Sequence, residues 1–310
     1  MNDRWAIILA GGDGSRLLPL TRSMTGDERP KQFCKVLGGE TLLDETRRRI
    51  DSCAEPMRSM FVLNHKHEPF YRDPLSDVPR SQMIVQPANL GTTPAILYSL
   101  MRLENHDPGA VAAFFPSDHY FSDHTAFMDH VDTAFETVSL YPELIFLLGV
   151  KPDAAEQEYG WIEPGVFGGY RDFKRVRRFW EKPSSELARD LMDRGCLWNS
   201  FVMVGKLSSF LRMVRLARPW LYSRFNSARW SFGSEYEEKV IGKLYDEISP
   251  SNFSQDVLTP RTEDLGVIPL SSGLRWSDLG TMPRVASTLA KLDTAAQFTF
   301  AGNTVAVGAI

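Results

Sequence analysis

Apolar residues in the first half of the chain fall into short unbroken runs: residues 6–10, 60–63, 83–85, 111–115 and 144–150. Runs of this length without polar alternation, closed by glycine or polar residues, predict strands buried on both faces. Between them lie segments with helical spacing, at 42–51, 93–103 and 125–139. In the second of these Ile96, Leu97 and Leu100 share one face, and Pro94 suits a first turn. In the first, the basic run Arg47-Arg48-Arg49 is expected on a solvated face. Strand and helix alternate, which predicts an α/β class with a mostly parallel sheet covered on both sides. In such sheets ligands bind at the carboxyl ends of the strands.

The second half is mixed. Residues 173–181 alternate charged and apolar positions, as a half-exposed strand does, and 198–204 and 265–270 are further strands. Helices are predicted over 184–194, with Ser184 as N-cap, and over 206–217, 235–245 and 283–292. The charges of 235–245 are expected to face solvent. These elements predict one domain over residues 1–292. Residues 293–310 form a short tail rich in small residues, either a loose end or the start of an appended β element.

The first apolar run breaks into Gly11-Gly12-Asp13-Gly14-Ser15-Arg16, and Lys31 follows in Pro30-Lys31-Gln32-Phe33. Glycines let a backbone wrap a ligand closely, and successive N–H groups then face an anion beside two full positive charges. The P-loop spacing is absent. Leu17 stands where a dinucleotide fingerprint needs its third glycine. An ordinary turn remains open on the glycines alone.

Asp118 follows a central apolar strand in Phe114-Phe115-Pro116-Ser117-Asp118-His119, and Asp278 stands beside a glycine turn in Trp276-Ser277-Asp278-Leu279-Gly280. Two carboxylates with phosphate oxygens and water suit Mg²⁺. For Asp118 a helix N-cap or an Asx-turn is the alternative. His119, Asp123 and His124 fit no standard transition-metal spacing, and His65 and His67 are expected at the surface.

Composition narrows the partners. The 310 residues are 43% hydrophobic and 24% charged, with a net charge of −4, which gives no reason to expect nucleic acid or an anionic membrane. Cys34, Cys53 and Cys196 are odd in number and lack CxxC, so reduced thiols in a cytoplasmic protein are expected. No apolar stretch approaches the ~18 residues of a membrane span, and the first residues run straight into a core strand, unlike a secretion signal.

LAGGxGxRLxPLT followed by PKQF resembles the signature of the sugar-1-phosphate nucleotidylyltransferases. Its Pro30-Lys31-Gln32-Phe33 ending resembles their mannose-1-phosphate guanylyltransferase branch. Six later segments resemble motifs of the same family in the same order. They are Thr92-Thr93-Pro94-Ala95-Ile96, PSDH at 116–119, Tyr159-Gly160-Trp161-Ile162, Phe179-Trp180-Glu181-Lys182-Pro183 with Trp198-Asn199-Ser200 after it, and WxDxG at 276–280. The resemblance runs from about Ala6 to about Leu292.

The resemblance implies a three-layer, Rossmann-like nucleotidyltransferase core with a mixed, mostly parallel sheet. It places Leu9, Gly11, Gly12, Gly14 and Ser15 around the nucleotide, with Gln86, Gly91 and Thr92 at its base. Arg16 and Lys31 act on the transferring and leaving phosphates, and Asp118 and Asp278 hold Mg²⁺. Gly160, Glu181 and Asn199 meet the sugar and Lys182 its phosphate. The implied reaction is GTP plus mannose-1-phosphate giving GDP-mannose and pyrophosphate. Departures concern specificity. The commoner pattern has Glu at Gln86, Arg at Leu90, Asn or Asp at Gly91 and Gly at Phe201, and relatives acting on pyrimidine nucleotides carry a Gln…Gly pair spaced like Gln86 and Gly91. The alternatives are a different nucleotide or hexose phosphate, or a non-catalytic sugar-nucleotide-binding protein of the same fold. Members often carry a C-terminal β-helix or barrel that aids oligomerisation, which leaves a homo-oligomer open.

Overall fold

The computed structural model describes residues 3–53, 57–169, 173–292, 296–300 and 303–307. Its strands in chain order are β1 (Arg4–Leu9), β2 (Arg58–Asn64), β3 (Met83–Gln86), β4 (Val111–Pro116), β5 (Tyr120–Phe121), β6 (Ile145–Val150), β7 (Gly160–Phe167), β8 (Lys174–Glu181), β9 (Leu197–Lys206), β10 (Leu265–Pro269), β11 (Trp276–Ser277), β12 (Ala296–Phe300) and β13 (Asn303–Val307). The helices are α1 (Leu18–Thr25), α2 (Leu42–Asp51), α3 (Glu68–Tyr71), α4 (Thr92–His106), α5 (His124–Leu140), α6 (Ser185–Asp193), α7 (Leu207–Ala217), α8 (Pro219–Ala228), α9 (Glu237–Glu247) and α10 (Met282–Lys291).

One large sheet runs in the order β3-β2-β1-β4-β9-β6-β10-β8-β7. Pairing is parallel through β3-β2-β1-β4 and again between β6 and β10. It is antiparallel where β9 inserts between β4 and β6, and through β10-β8-β7. The sheet is therefore mixed, as the resemblance implied, but not mostly parallel: four of its eight neighbouring pairings are antiparallel, because β9 and β8 run against the strands beside them, and the parallel order is concentrated in the first half. All six residues of β4 and of β6 are buried, because helices cover both faces. Burying a Phe or Leu side chain contributes ~1.5–3 kcal/mol, so Phe114, Phe115 and Phe146 anchor the middle of the core.

Three features depart from the local pattern. The helices α1 and α8 lie outside the predicted helical segments; each has a Pro in its first turn, and α8 buries Leu221, Phe225 and Ala228 on one face. Arg49 is not on a solvated face: it is 1% exposed, lies over the rings of Phe121 and Phe127, and donates to the backbone oxygen of His119 at 3.2 Å. Burial pushes its pKa down to about 10. Glu237, on the charged face of α9, bonds Arg102 and Tyr98 rather than water. In the tail, β12 and β13 pair antiparallel, while the rest of 293–310 lies outside the described residues.

A two-stranded sheet positions the two candidate metal-ligating aspartates. β11 pairs antiparallel with β5, with Trp276 opposite Phe121 and Ser277 opposite Tyr120. Asp278 follows Ser277 and Asp118 precedes Tyr120 by two residues, so this small ladder carries both aspartates to the carboxyl end of β4.

Candidate functional site

Ala10 N donates to Val62 O, and Ser117 donates through both its N–H and its hydroxyl to Leu9 O, at 3.2 and 2.8 Å. The loop after β1 is thereby tied to its two parallel neighbours. Gly14 has φ +59, a left-handed conformation that favours glycine, and a Cβ there would sit 3.3 Å from Lys31 N. Gln32 closes the loop from beneath: its buried Nε2 donates to Ala10 O at 3.0 Å and Gly12 O at 2.8 Å. A cavity of about 330 Å³ opens above, and Gly14, Ser15, Arg16, Lys31, Asn89 and Asp118 are among the residues that line it.

Lys31 is the centre of charge. Its ammonium lies 3.2 Å from Asp118 Oδ2 and also bonds the backbone oxygen of Asp278, although the side chain is only 8% exposed. Asp278 Oδ1 accepts from Tyr159 Oη at 3.1 Å, Gly280 N at 2.9 Å and Arg284 Nη1 at 3.1 Å, while Oδ2 accepts from Arg284 Nη1 at 3.0 Å. Burial alone would raise the Asp278 pKa. His119 when protonated, Arg284, Lys31 and the Gly280 N–H more than offset this and hold it below the usual carboxylate value. The His119 ring is itself pushed below its ordinary pKa by burial, and Trp276 Nε1 lies 3.3 Å from its Nδ1. With Nδ1 accepting, the proton of the neutral ring sits on Nε2, 3.7 Å from Asp118 Oδ1.

A carboxylate oxygen has two lone pairs. Among the described residues Asp278 Oδ2 has one open, and Asp118 Oδ2 faces only Lys31. These are hard donors of the kind Mg²⁺ takes together with phosphate oxygens. No cluster of three His, Cys, Asp or Glu side chains suited to a metal occurs among the described residues. Asp123 instead caps α5 through Ala126 N.

Arg16 is half exposed and pairs with Glu158 at 3.2 Å, while Gly280 leaves room for its guanidinium, since a Cβ there would lie 3.0 Å from Arg16 Nη2. Asp13 is held by Asn89 at 2.8 Å and by His67 at 3.2 Å. His67 is 6% exposed, contrary to the expected surface position, because it packs edge-on against Phe33 beneath the loop.

On the side assigned to the base, Gln86 lies directly under Gly11, whose Cβ would meet Gln86 Nε2 at 2.8 Å. Gln86 is 3% exposed. Its Oε1 accepts from Tyr245 Oη at 3.0 Å and its Nε2 approaches Leu63 O at 3.4 Å. Gly91 N donates to Asn89 Oδ1, and Thr92 Oγ1 accepts from Phe253 N.

On the side assigned to the sugar, register does the assembly. Gly160 pairs with Glu181 across β7 and β8, Trp161 pairs with Trp198 across β7 and β9, and Asn199 follows Trp198. Burial raises the Glu181 pKa, against the pull of Lys182 and a bond from Ser254. Lys182 is exposed next to it. Asn199 Oδ1 accepts from Phe201 N at 3.1 Å, which leaves its NH₂ for a ligand. The non-glycine residues with positive φ among those described are Lys182 at +48°, Phe201 at +62° and Leu279 at +47°, all within the segments named above. Phe201, where the resembled motif has glycine, thus sits in a left-handed conformation that favours glycine. Such strain gathers where a site holds its backbone against local preference.

The structure brings the loop glycines, Arg16, Lys31, Asp118 and Asp278 to one cavity and its rim, and Gly160, Glu181, Lys182 and Asn199 to a neighbouring sheet end. Sequence reasoning missed Gln32, Asn89, Tyr159, Tyr245 and Arg284 as supporting groups. Of these, Gln32 and Tyr159 stood inside quoted motifs; the others carry no local signal.

Residues 5–293 match the family model described as nucleotidyl transferase. The chain is 30% identical over 291 residues to mannose-1-phosphate guanylyltransferase 2 of Escherichia coli O157:H7, covering 89% of this chain and 58% of that protein. It spans a little over half the length of the curated relatives it matches. Among solved structures it is similar to mannose-1-phosphate geranyltransferase from Thermus thermophilus, with TM-score 0.77 and 25% identity over 90% of this chain and 77% of that one. It shares its fold with mannose-6-phosphate isomerase from Helicobacter pylori, with TM-score 0.70 and 20% identity over 89% of this chain and 100% of that one. No helix among the described residues is long and apolar enough to cross a membrane.

Proposed function

The chain belongs to the nucleotidyl transferase family, and on that premise we propose that it transfers GMP from GTP to mannose-1-phosphate, giving GDP-mannose and pyrophosphate. The observation that carries this reading is Lys31, whose ammonium stands between Asp118 and Asp278 at the mouth of the glycine loop. A triphosphate laid on that loop meets the backbone N–H groups around Gly11–Gly14, with Arg16 and Lys31 over its phosphates.

The sugar phosphate is already an anionic nucleophile, so no Ser or Cys nucleophile is needed. One of its oxygens attacks the α-phosphorus, the bond to the bridging oxygen breaks, and pyrophosphate leaves with that electron pair. Positioning and neutralisation of charge carry the rate. Lys182 grips the sugar phosphate, and Glu181, Asn199 and the Gly160 backbone hold the hexose in line. Asp118 and Asp278 would hold Mg²⁺, which supplies further charge neutralisation at the phosphates.

A second reading, with a pyrimidine nucleotide, has its own support in Gln86 and Gly91. Tyr245 donates to the Gln86 carbonyl, so the amide N–H is the group turned toward Gly11; that donor suits O4 of uracil or thymine as it suits O6 of guanine, and the support lies in the spacing of the Gln86 and Gly91 pair. The deciding experiment incubates the protein with Mg²⁺, each NTP and a panel of sugar-1-phosphates and measures pyrophosphate. Release with GTP and mannose-1-phosphate is expected. Release only with UTP or dTTP overturns the base assignment, and no release from any pairing overturns the enzyme reading.

A further inference from the structure

Arg284, in the first turn of α10, is not among the residues the resemblance assigns, yet it is the cation bonded to the Asp278 carboxylate. Its Nη1 is shared between both carboxylate oxygens at 3.1 and 3.0 Å, its Nη2 bonds Glu156 Oε2 at 2.5 Å, and its guanidinium lies 4.2 Å from the centre of the Tyr159 ring. The side chain is 13% exposed. A cation so held competes with any other cation for Asp278.

We propose that Arg284 is a built-in counter-cation of Asp278, which a divalent cation displaces when it binds. This rests on the reading of Asp278 as a metal ligand. Two features of the geometry make the exchange workable. First, the two ends of the guanidinium serve different partners. When Nη1 gives up Asp278, Nη2 keeps Glu156 and the plane keeps Tyr159, so no desolvated charge is stranded. Second, Asp278 does not depend on Arg284 for its orientation. Tyr159 Oη and Gly280 N–H still hold Oδ1, and Oδ2 is the oxygen released to the incoming ion.

Charge makes the exchange worth having. Asp118, Asp278 and Glu156 bring three negative charges, and Lys31 and Arg284 bring two positive ones. The free protein therefore offers little net charge to a bare divalent ion. An ion arriving with a triphosphate gains phosphate ligands as well. Arg284 is a positioning residue that makes cation binding depend on nucleotide.

The test is direct binding of Mn²⁺ to the nucleotide-free full chain, read as loss of the free-ion EPR signal. Arg284→Met should bind Mn²⁺ about tenfold more tightly than wild type, the equivalent of one charge-assisted hydrogen bond no longer in competition. Glu156→Gln should bind more weakly, because Arg284 then has Asp278 as its sole anionic partner. A general disturbance of the site would move both variants the same way, which would overturn the proposal. Arg284→Lys keeps the charge but cannot bridge both carboxylates, so its affinity should fall between wild type and Arg284→Met. A lysine variant indistinguishable from wild type would reduce Arg284 to a remote charge and overturn the displacement. Asp278→Asn separates the two levels. If it leaves Mn²⁺ binding unchanged, the metal role of Asp278 fails and this proposal with it. If it abolishes binding while Arg284→Met gains nothing, this proposal alone fails.

Discussion

Lys31 Nζ lies 3.2 Å from Asp118 Oδ2 and bonds the backbone oxygen of Asp278, so one side chain joins the loop after β1 to the turns that follow β4 and β11. A buried ammonium in that position needs both oxygens in the free protein, and on the proposed reading it gains phosphate oxygens when a nucleotide binds. Replacing it with Met keeps the stem and removes the charge. The expected loss in kcat is roughly 10²–10³-fold, the usual effect of deleting one preorganised cationic or hydrogen-bonding group in a transfer site. Pyrophosphate release at saturating substrates checks this, with circular dichroism to confirm folding. A Lys31→Met protein within threefold of wild type would remove Lys31 from the reaction.

Gln32 makes a sharper prediction, because an isosteric change should be worse than an apolar one. Its NH₂ donates to two backbone oxygens, Ala10 O and Gly12 O, in a buried place. Gln32→Leu loses both bonds and should destabilise by about 1–3 kcal/mol. Gln32→Glu keeps the shape but turns an acceptor toward two acceptors, and should destabilise more than the leucine variant in urea unfolding at pH 8. In both proteins KM for the nucleotide should rise, since the loop loses its floor. Equal stability of the two variants would show that the carbonyls find other donors.

The sequence made the centre of this site readable, and physics explains where legibility stopped. The run at 6–10, the break into Gly11-Gly12 and the apolar 111–115 before Asp118 are local signals, written by burial and by backbone conformation. A basic run on a helix usually faces water, which is why the sequence predicts a solvated Arg49, and only the tertiary fold sets Phe121 and Phe127 against it. Arg284 and Tyr245 reach partners through the fold, Asp278 and Glu156 for the one and Gln86 for the other. No periodicity in 235–247 or 282–291 marks those contacts. The position of β9 between β4 and β6 was equally silent, because an antiparallel strand buried on both faces carries the same apolar run as a parallel one.

His124 sets an acid limit. Burial first, and then Arg49 and Arg48, push its pKa from 6.5 to about 4. The unfolded chain therefore takes up a proton near pH 6.5 that the folded protein refuses until about pH 4. Stability is full above 6.5, falls as pH drops through that window, and levels off below about 4 as far as this residue is concerned. His67, His119 and His130 are shifted the same way and add to the slope. Urea midpoints at pH 7.5 and 5.0 should differ less in His124→Gln than in wild type. An unchanged difference would mean that His124 ionises freely in the folded protein.

Gly12 and Gly91 should respond to alanine in opposite ways. Gly91 has φ +87 and ψ −177, a region open essentially to glycine alone, and a Cβ there would stand 2.5 Å from Ser251 O. The backbone on both sides is fixed by Thr93 N donating to Ser251 O and Ser251 N donating to Leu90 O, so neither partner can yield. Gly91→Ala should cost about 3 kcal/mol or more from strain and overlap together, and should separate the 89–93 loop from residues 251–253. Gly12 is exposed, and a Cβ there would meet nothing within 4 Å. Gly12→Ala should therefore leave the urea midpoint nearly unchanged while raising KM for the nucleotide, because the added methyl occupies space that the phosphates need. Thermal or urea unfolding paired with pyrophosphate kinetics reads both effects. A destabilised Gly12→Ala, or a fully active one, would mean that the triphosphate does not lie along that face of the loop.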